Sequence, residues 1–261
     1  MVKAVPDILA QILQRKQAEL LQQEIGDPIV DVLAELSIPG RRDFRAALLA
    51  QPIAVIAEIK KASPSRGLIA ADFDPPSIAQ SYERGGAAAL SVLTDRDYFQ
   101  GSLSDMVAAR AAVGLPVLRK DFTTAEYDVL DGAAHGADAI LLIAAALNGQ
   151  QLRRFRELAE SYRMAALVEV HDEDELHLAI DSGASIIGVN SRDLRTFQVD
   201  LNVALRLAPS IPASVIKVAE SGIHSASDVQ TLAAAGYRGF LVGEHLMRAP
   251  DPAQALRDLF P

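Results

Sequence analysis

The sequence predicts an α/β protein, a (β/α)8 TIM barrel with an N-terminal helical extension. From residue 51 onward, eight short runs rich in Val, Ile and Leu alternate with longer segments of helical period. The runs are continuously apolar, as expected for parallel strands that are buried on both faces. A length of 261 residues also suits one barrel of roughly 250 residues. We therefore expect a single domain over residues 1–261, with the extension over residues 1–50 and the barrel over 51–261.

The eight predicted strands leave room for a helix between each pair. They cover Ile53–Ile59, Ala88–Leu93, Val117–Leu118, Ala139–Ile143, Ala166–Val170, Ile186–Val189, Val215–Ala219 and Gly239–Val242. A doubly wound open sheet also alternates strands with helices, but it usually carries a Gly-rich phosphate turn after its first strand. Here the first strand leads into EIKKASPSRG, residues 58–67, which matches neither GxGxxG nor a P-loop. This difference favours the barrel.

A glycine recurs at the end of alternate predicted helices. Gly86, Gly136, Gly183 and Gly236 are separated by 50, 47 and 53 residues. Since each interval holds two strand–helix units, the underlying unit is about 25 residues long, as a barrel of eight units requires. These glycines are explained as helix C′ residues in the left-handed conformation.

The first 50 residues show helical rather than strand periodicity. Apolar residues recur at helical spacing at Ile8, Leu9, Ile12, Leu13, Leu20 and Leu21, and Pro6 is placed to open that helix. A second short helix is predicted over Val30–Leu36 and a third over Arg42–Leu49. We expect these helices to pack on the barrel.

Composition excludes several functional classes. The chain has 34 acidic and 25 basic residues and a net charge of −9, which argues against non-specific binding to nucleic acid. It has no Cys, so disulfides, Cys-based zinc sites and thiolate nucleophiles are excluded. His171 and His177 lack metal-binding spacing, and we expect no metal and no organic cofactor. The longest apolar run, Ala139–Leu147, is too short to span a membrane, and no signal peptide is evident, so we expect a cytoplasmic protein.

Polar residues end five of the predicted strands. They are Glu58 and Lys60, Arg119-Lys120-Asp121, Glu169, Asn190-Ser191-Arg192-Asp193, and Glu220-Ser221-Gly222. Catalytic groups of barrels lie at the carboxyl ends of strands, where all eight ends face one mouth. One charged strand end is as readily a rim ion pair as a catalytic group, but five at one mouth favour an active site.

Eight sequence blocks resemble, in order, the signatures of the indole-3-glycerol phosphate synthase family. They are AEIKKASPSRG (57–67), SVLTDRDYFQGS (91–102), LRKDF (118–122), DAILLI (138–143), LVEVH (167–171), IIGVNSRDL (186–194), AESGI (219–223) and FLVGEHLMR (240–248). The resemblance covers essentially the whole chain. It implies an enzyme of tryptophan biosynthesis that closes the ring of 1-(2-carboxyphenylamino)-1-deoxyribulose 5-phosphate, with loss of carbon dioxide and water.

The resemblance also implies catalytic roles. Lys120 is implied as the principal general acid, Lys60 as a second catalytic lysine and Glu169 as the base. Glu58 is expected to position a lysine or a substrate hydroxyl, and Asn190 to bind substrate or orient Glu169. Two ammonium groups close together would lower the pKa of a lysine and ease proton transfer.

Further residues are implied in substrate binding. Ser221-Gly222 and Gly243-Glu244 occupy the loops in which barrels often hold phosphate, and Glu220 precedes the first of them. Many relatives carry a serine at one of the positions held by Glu244 and His245, so a hydroxyl contact is in doubt here. Ser63 and Gly67 fit a mobile, anion-binding first loop, and Arg192 fits a carboxylate contact or a place in the acid–base network. Phe99 and Phe122 either sandwich the substrate's aromatic ring or pack in the core.

Two other functions compete with this interpretation. Phosphoribosylanthranilate isomerase resembles this family in fold, but it relies on a catalytic Cys, which this chain lacks. A non-catalytic phosphosugar-binding barrel would have lost a lysine or the glutamate, yet Lys60, Lys120 and Glu169 are all present. The expected partner is a small phosphosugar–anthranilate substrate, with no nucleic acid and no membrane. Contact with other enzymes of the tryptophan pathway stays open.

Overall fold

Eight parallel strands form a closed barrel in the computed structural model, which describes residues 7–22 and 28–260. The strands are β1 (Ala54–Ile59), β2 (Ala89–Leu93), β3 (Val117–Lys120), β4 (Ala139–Ile143), β5 (Ala165–Val170), β6 (Ile186–Asn190), β7 (Ile216–Glu220) and β8 (Gly239–Val242). Each strand pairs with its sequence neighbours, and β8 closes the barrel on β1 through pairs such as Ala54 with Gly239. The predicted (β/α)8 barrel is confirmed, and each predicted strand matches within two residues.

Twelve α-helices lie within the described residues. They are α1 (Asp7–Gln22), α2 (Pro28–Ser37), α3 (Phe44–Leu49), α4 (Pro75–Gly85), α5 (Leu103–Ala112), α6 (Glu126–Ala134), α7 (Gly149–Ser161), α8 (Glu173–Asp181), α9 (Asn202–Leu207), α10 (Ala226–Ala234), α11 (Glu244–Met247) and α12 (Pro252–Leu259). Helices α4 to α10 each follow one strand, and α11 and α12 follow β8. In the loop after β1, Ala62–Ser63 and Gly67–Leu68 form a small antiparallel hairpin.

The strands are apolar along their length because both faces are covered. Side chains such as Ile56, Leu118 and Leu167 fill the barrel interior, while alternate residues such as Ile140 and Val168 pack outward under the helices. The four recurring glycines have φ of 92°, 82°, 85° and 93°, so the left-handed conformation predicted for helix ends is confirmed.

The N-terminal helices reach both ends of the barrel. Phe44 and Leu48 of α3 are buried against the first residues of β1 and β2, at the amino end of the barrel. Helix α3 starts at Phe44 rather than Arg42 because the Asp43 carboxylate caps it, accepting the Ala46 N–H at 2.8 Å. Helix α1 lies at the opposite, carboxyl end.

A buried carboxylate fixes the extension to the amino end of the barrel. Asp138, just before β4, is fully buried and accepts the backbone N–H of Arg42 at 2.7 Å and of Val117 at 2.9 Å. Arg110 adds an ion pair at 2.9 Å. Pro6 and the side chain of Leu21, both assigned to the first predicted helix, lie outside what the structure describes. None of the helices described combines the length and apolarity that crossing a bilayer requires.

Candidate active site

A cavity of about 200 Å³ opens at the carboxyl ends of the strands. Of the residues that the sequence assigned to catalysis or substrate binding, all but Gly67 line it, namely Glu58, Lys60, Ser63, Phe99, Lys120, Phe122, Glu169, Asn190, Arg192, Glu220, Ser221, Gly222, Gly243 and Glu244. The closed barrel explains this convergence, because residues distant in sequence meet where parallel strands end together.

Lys120, the last residue of β3, lies between two carboxylates. Its Nζ is 2.9 Å from Oε2 of Glu169 on β5 and 3.2 Å from Oε2 of Glu220 on β7. Burial lowers the pKa of Lys120, but the charges of Glu169, Glu220 and Glu58 raise this pKa by more. The expectation that a second ammonium lowers a lysine pKa is therefore wrong for Lys120, because the groups that face it are mainly carboxylates.

The two carboxylates differ in their environment. Burial raises the pKa of Glu169, yet the charges of Lys120 and His171 outweigh burial and lower it. Burial dominates at Glu220, whose pKa is raised. Oε1 of Glu220 is buried and has no hydrogen-bond partner among the described residues. Glu169 is therefore the stronger candidate for an ionised base, and Glu220 for a carboxyl that exchanges a proton near neutral pH.

Glu220 fits the barrel wall only because β6 has a glycine beside it. A Cβ at Gly188 would overlap Oε1 of Glu220. Gly188 is not among the predicted site residues, although a glycine inside a buried strand is itself a signal of close approach by another group.

Lys60 and Glu58 form a second ion pair at the end of β1, with Nζ 2.5 Å from Oε1. Glu58 is buried, and Lys60 is more accessible to the cavity. A Cβ at Gly243 would overlap the Glu58 carboxylate. Gly243 therefore makes room for Glu58 as well as shaping the loop after β8.

Asn190 and Arg192 lie at the end of β6. The Asn190 side-chain amide donates to Oε1 of Glu169 at 3.2 Å, which fits the expected orienting role. The backbone N–H of Arg192 donates to the Asn190 side-chain oxygen at 3.0 Å, and its guanidinium donates to the Phe197 carbonyl at 3.2 Å. Arg192 is thus held at the cavity wall by its own loop.

The loops after β7 and β8 line a further part of the cavity. Ser221 and Gly222 both have positive φ, 65° and 79°, and a Cβ at Gly222 would overlap the side chain of Val199. Such strained serine backbone is typical of functional positions. Glu244 pairs with Arg66 from the first loop at 3.1 Å and with Arg248 at 3.2 Å. The two guanidinium groups offset a carboxylate that would otherwise repel an anion.

An apolar wall completes the cavity. Phe99 and Phe122 line it with ring centroids 6.1 Å apart and an angle of 38°, the geometry of a pair in direct contact. At this spacing the two rings contact each other and form one surface of the cavity. Ile8, Leu9 and Ile12 of α1 line the same cavity.

Sequence analysis missed several of these residues. Periodicity predicts that α1 packs on the barrel but does not show which end it covers. Nothing in the sequence marks Arg66 within the first loop or His171 after β5 as part of the site. Among residues 7–22 and 28–260, no group of His, Asp and Glu has the arrangement needed to hold a metal ion.

Comparisons with known proteins identify the family of the chain. The family model described as indole-3-glycerol phosphate synthase matches residues 9–259. A protein of Aromatoleum aromaticum with that name is 49% identical over 97% of this chain and 99% of its own length. One of Mycolicibacterium gilvum, also so named, is 48% identical over 97% of this chain and 93% of its own.

Solved structures show the same fold at low identity. A thiamine phosphate pyrophosphorylase from Pyrococcus furiosus superposes with a TM-score of 0.61 at 17% identity, covering 81% of this chain and 95% of its own. That likeness supports the barrel alone. The family model and these relatives show that the chain belongs to the indole-3-glycerol phosphate synthase family.

Proposed function

We propose that this chain converts 1-(2-carboxyphenylamino)-1-deoxyribulose 5-phosphate to indole-3-glycerol phosphate, with release of carbon dioxide and water. The observation that carries the proposal is the Lys120 ammonium held between Glu169 and Glu220 at the floor of the cavity. Ring closure needs a proton donor at a ketone oxygen and a base nearby, and this cluster supplies both.

Lys120 acts as the general acid. The carboxylates around it keep it protonated at neutral pH, so the donor is present in the required form. When the aromatic carbon attacks the ketone, the oxygen becomes an alkoxide, a far stronger base than either carboxylate. The proton moves from Nζ to that oxygen, and the Lys60 ammonium stabilises charge that develops in the site.

Glu169 acts as the base. After carbon dioxide has left, the ring-closed intermediate loses a proton and its hydroxyl group to form the indole. Glu169 can accept the proton because its low pKa keeps it ionised and Asn190 orients its Oε1. The hydroxyl leaves as water with a proton from a lysine, for which Lys60, paired with Glu58, is suited.

The two ends of the cavity suit the two ends of the substrate. The phosphate lies between Ser221-Gly222 and Gly243-Glu244, where backbone can approach it closely. Ser63 in the first loop lines the same cavity. The aromatic ring lies on Phe99, Phe122 and the α1 wall, with Arg192 at its carboxylate.

This proposal treats residues 1–50 and 51–261 as one functional domain, because α1 lines the cavity that the barrel strands build. We place the reaction in the cytoplasm, where a charged phosphorylated substrate is retained. Each proton transfer of the proposed reaction is assigned to a side chain of this chain, so the proposed steps use no additional cofactor.

The test is direct. Purified protein is mixed with the carboxyphenylamino-deoxyribulose phosphate, and the fluorescence of the indole product is followed. We expect continuous product formation without added metal or cofactor. A protein that binds the substrate and produces no indole would contradict the proposal and favour a non-catalytic phosphosugar-binding barrel.

A further inference from the structure

His171 is a titratable side chain beside the site that has no step in the proposed reaction. It directly follows β5, two residues after Glu169. Its Nε2 lies 3.4 Å from Oε1 of Glu169, and its Nδ1 lies 2.9 Å from Oε2 of Glu175. The imidazole therefore connects a carboxylate inside the cavity with one on the helix behind it.

Glu175 holds the ring in place. It belongs to the first turn of α8, and its Oε2 also accepts the backbone N–H of His171 at 2.8 Å. With Nδ1–H donated to Glu175, Nε2 is left directed toward Glu169, whose Oε1 lies 3.4 Å away, and it has no hydrogen-bond partner among the described residues. A buried nitrogen without a partner is costly, whereas a protonated Nε2 faces an opposite charge.

The charged groups that face the imidazole are carboxylates from three elements. They are Glu169 on β5, Glu175 on α8 and Glu220 on β7, with Lys120 on the far side of Glu169. Burial lowers the pKa of His171, but the hydrogen bond to Glu175 and the three negative charges raise this pKa by more. The surroundings thus favour the imidazolium form.

We propose that the His171 imidazolium, fixed by Glu175, is a positioning residue that keeps Glu169 ionised and directs its carboxylate toward the substrate. The inference rests on the function proposed above, in which Glu169 is the base. Oε1 of Glu169 accepts from Asn190 and faces the His171 charge at 3.4 Å, and Oε2 accepts from Lys120. Each oxygen is held by a donor while the carboxylate stays free of its own proton.

The test compares His171→Gln with the unmodified chain. Glutamine keeps a side-chain amide donor but not the positive charge. His177→Gln is the matched control, because His177 is an exposed histidine on α8. Turnover and kcat/KM are measured across pH for all three proteins. Ionisation of the substrate phosphate affects the three proteins equally, so it cancels in the comparison.

Loss of the imidazolium should raise the pKa of Glu169. We expect the acid limb of the His171→Gln profile to move up by about one pH unit, the smaller end of the effect of a neighbouring charge, with about tenfold lower kcat/KM on that limb. Above the pH at which His171 itself loses its proton, the two profiles should converge. The His177→Gln profile should overlay that of the unmodified chain.

A purely structural role for His171 would lower activity by the same factor at every pH, and that result would overturn the proposal. If His171→Gln does not fold, the ring signal of His171 is titrated by NMR in the unmodified chain and in Glu169→Gln. We expect a lower midpoint in Glu169→Gln, and an unchanged midpoint would overturn the proposal. Absence of indole formation by the unmodified chain would instead refute the proposed function.

Discussion

At the scale of single residues, substitutions at Lys120 distinguish its positive charge from its ability to donate a proton. In Lys120→Ala the acid is lost and Glu169 and Glu220 face each other without the cation between them. We expect turnover to fall by roughly a hundredfold or more, the usual loss for a general acid. Indole fluorescence measures the loss, and circular dichroism checks that the barrel is intact.

Lys120→Arg is the control. Arginine keeps a cation beside both carboxylates but does not readily give up a proton. It should preserve the fold and the affinity for the phosphate-bearing product while turnover stays low. Turnover close to that of the unmodified chain in either variant would remove Lys120 from the role of acid.

Gly188 offers a second test at this scale, because its missing side chain makes room for Glu220. We expect Gly188→Ala to lower the free energy of unfolding by about 1–3 kcal/mol, as overpacking in a core does, and to reduce turnover by displacing the carboxylate. Chemical denaturation and the fluorescence assay measure both effects.

Gly114→Ala is the matched variant for Gly188→Ala. A Cβ at position 114 would only reach ordinary contact with Glu83. This variant should therefore unfold and turn over like the unmodified chain. Equal behaviour of the two alanine variants would show that β6 yields to the added methyl group and that the close approach to Glu220 has no cost.

At the scale of elements, α1 and α3 have different roles: α1 lines the cavity, and α3 packs on the amino end of the barrel. Removal of residues 1–22 takes away the apolar wall of the cavity and the Lys16–Asp121 ion pair but leaves α3 in place. We expect a folded protein with a raised KM that is less stable by the contribution of that ion pair. Phe44→Ala should instead leave KM little changed and cost about 3–5 kcal/mol of stability.

Substrate titrations and denaturation curves on both variants distinguish the two roles. If the chain without α1 melted earlier and kept its KM, α1 would contribute to stability rather than to the site. The division also explains why the extension was the least predictable part of the fold. Helical periodicity located its helices, but which barrel end each helix covers depends on pairs such as Arg42 with Asp138 that are far apart in sequence.

The strands were predictable for a physical reason. A parallel strand buried on both faces must be apolar throughout, and each run ends where polar residues meet the cavity or the turns. The polar residues at the ends of β1, β3, β5, β6 and β7 therefore allowed most of the site to be predicted from the sequence. The sequence does not predict the roles of His171, Gly188 and the α1 wall, because those roles depend on which side chains of other elements lie beside them.

At the scale of the whole molecule, the junction between α1 and the barrel affects acid stability. Lys16 Nζ lies 2.7 Å from Oδ1 of Asp121. Burial raises the pKa of Asp121, but Arg119 and Lys16 outweigh it and lower the pKa to about 2. A carboxyl with a depressed folded pKa stabilises the protein above its unfolded pKa of about 4, and this contribution is lost as pH falls toward the folded value.

Lys16→Met should raise the folded pKa of Asp121. The variant should be less stable at neutral pH, and its unfolding free energy should fall less, by about 2 kcal/mol at most, as pH drops from about 4 to 2. Urea unfolding at a series of pH values measures this. Arg15→Met is the control, since the neighbouring Arg15–Asp97 pair is more exposed and should change the pH dependence little. Parallel pH curves for Lys16→Met and the unmodified chain would contradict the role of the pair.

The pairing of β8 with β1 has a consequence for the order of events during synthesis. Ala54 pairs in register with Gly239 in the closed barrel, and its N–H donates to the Arg238 carbonyl at 2.8 Å, so β1 keeps one open edge until β8 leaves the ribosome. Such long-range pairing is slow and leaves an unpaired strand edge exposed in the meantime. Glu58 on β1 also acquires its neighbour Gly243 only at that moment. A nascent chain halted before β8 would therefore present an unpaired strand edge and an incomplete site, and an exposed edge of this kind favours aggregation.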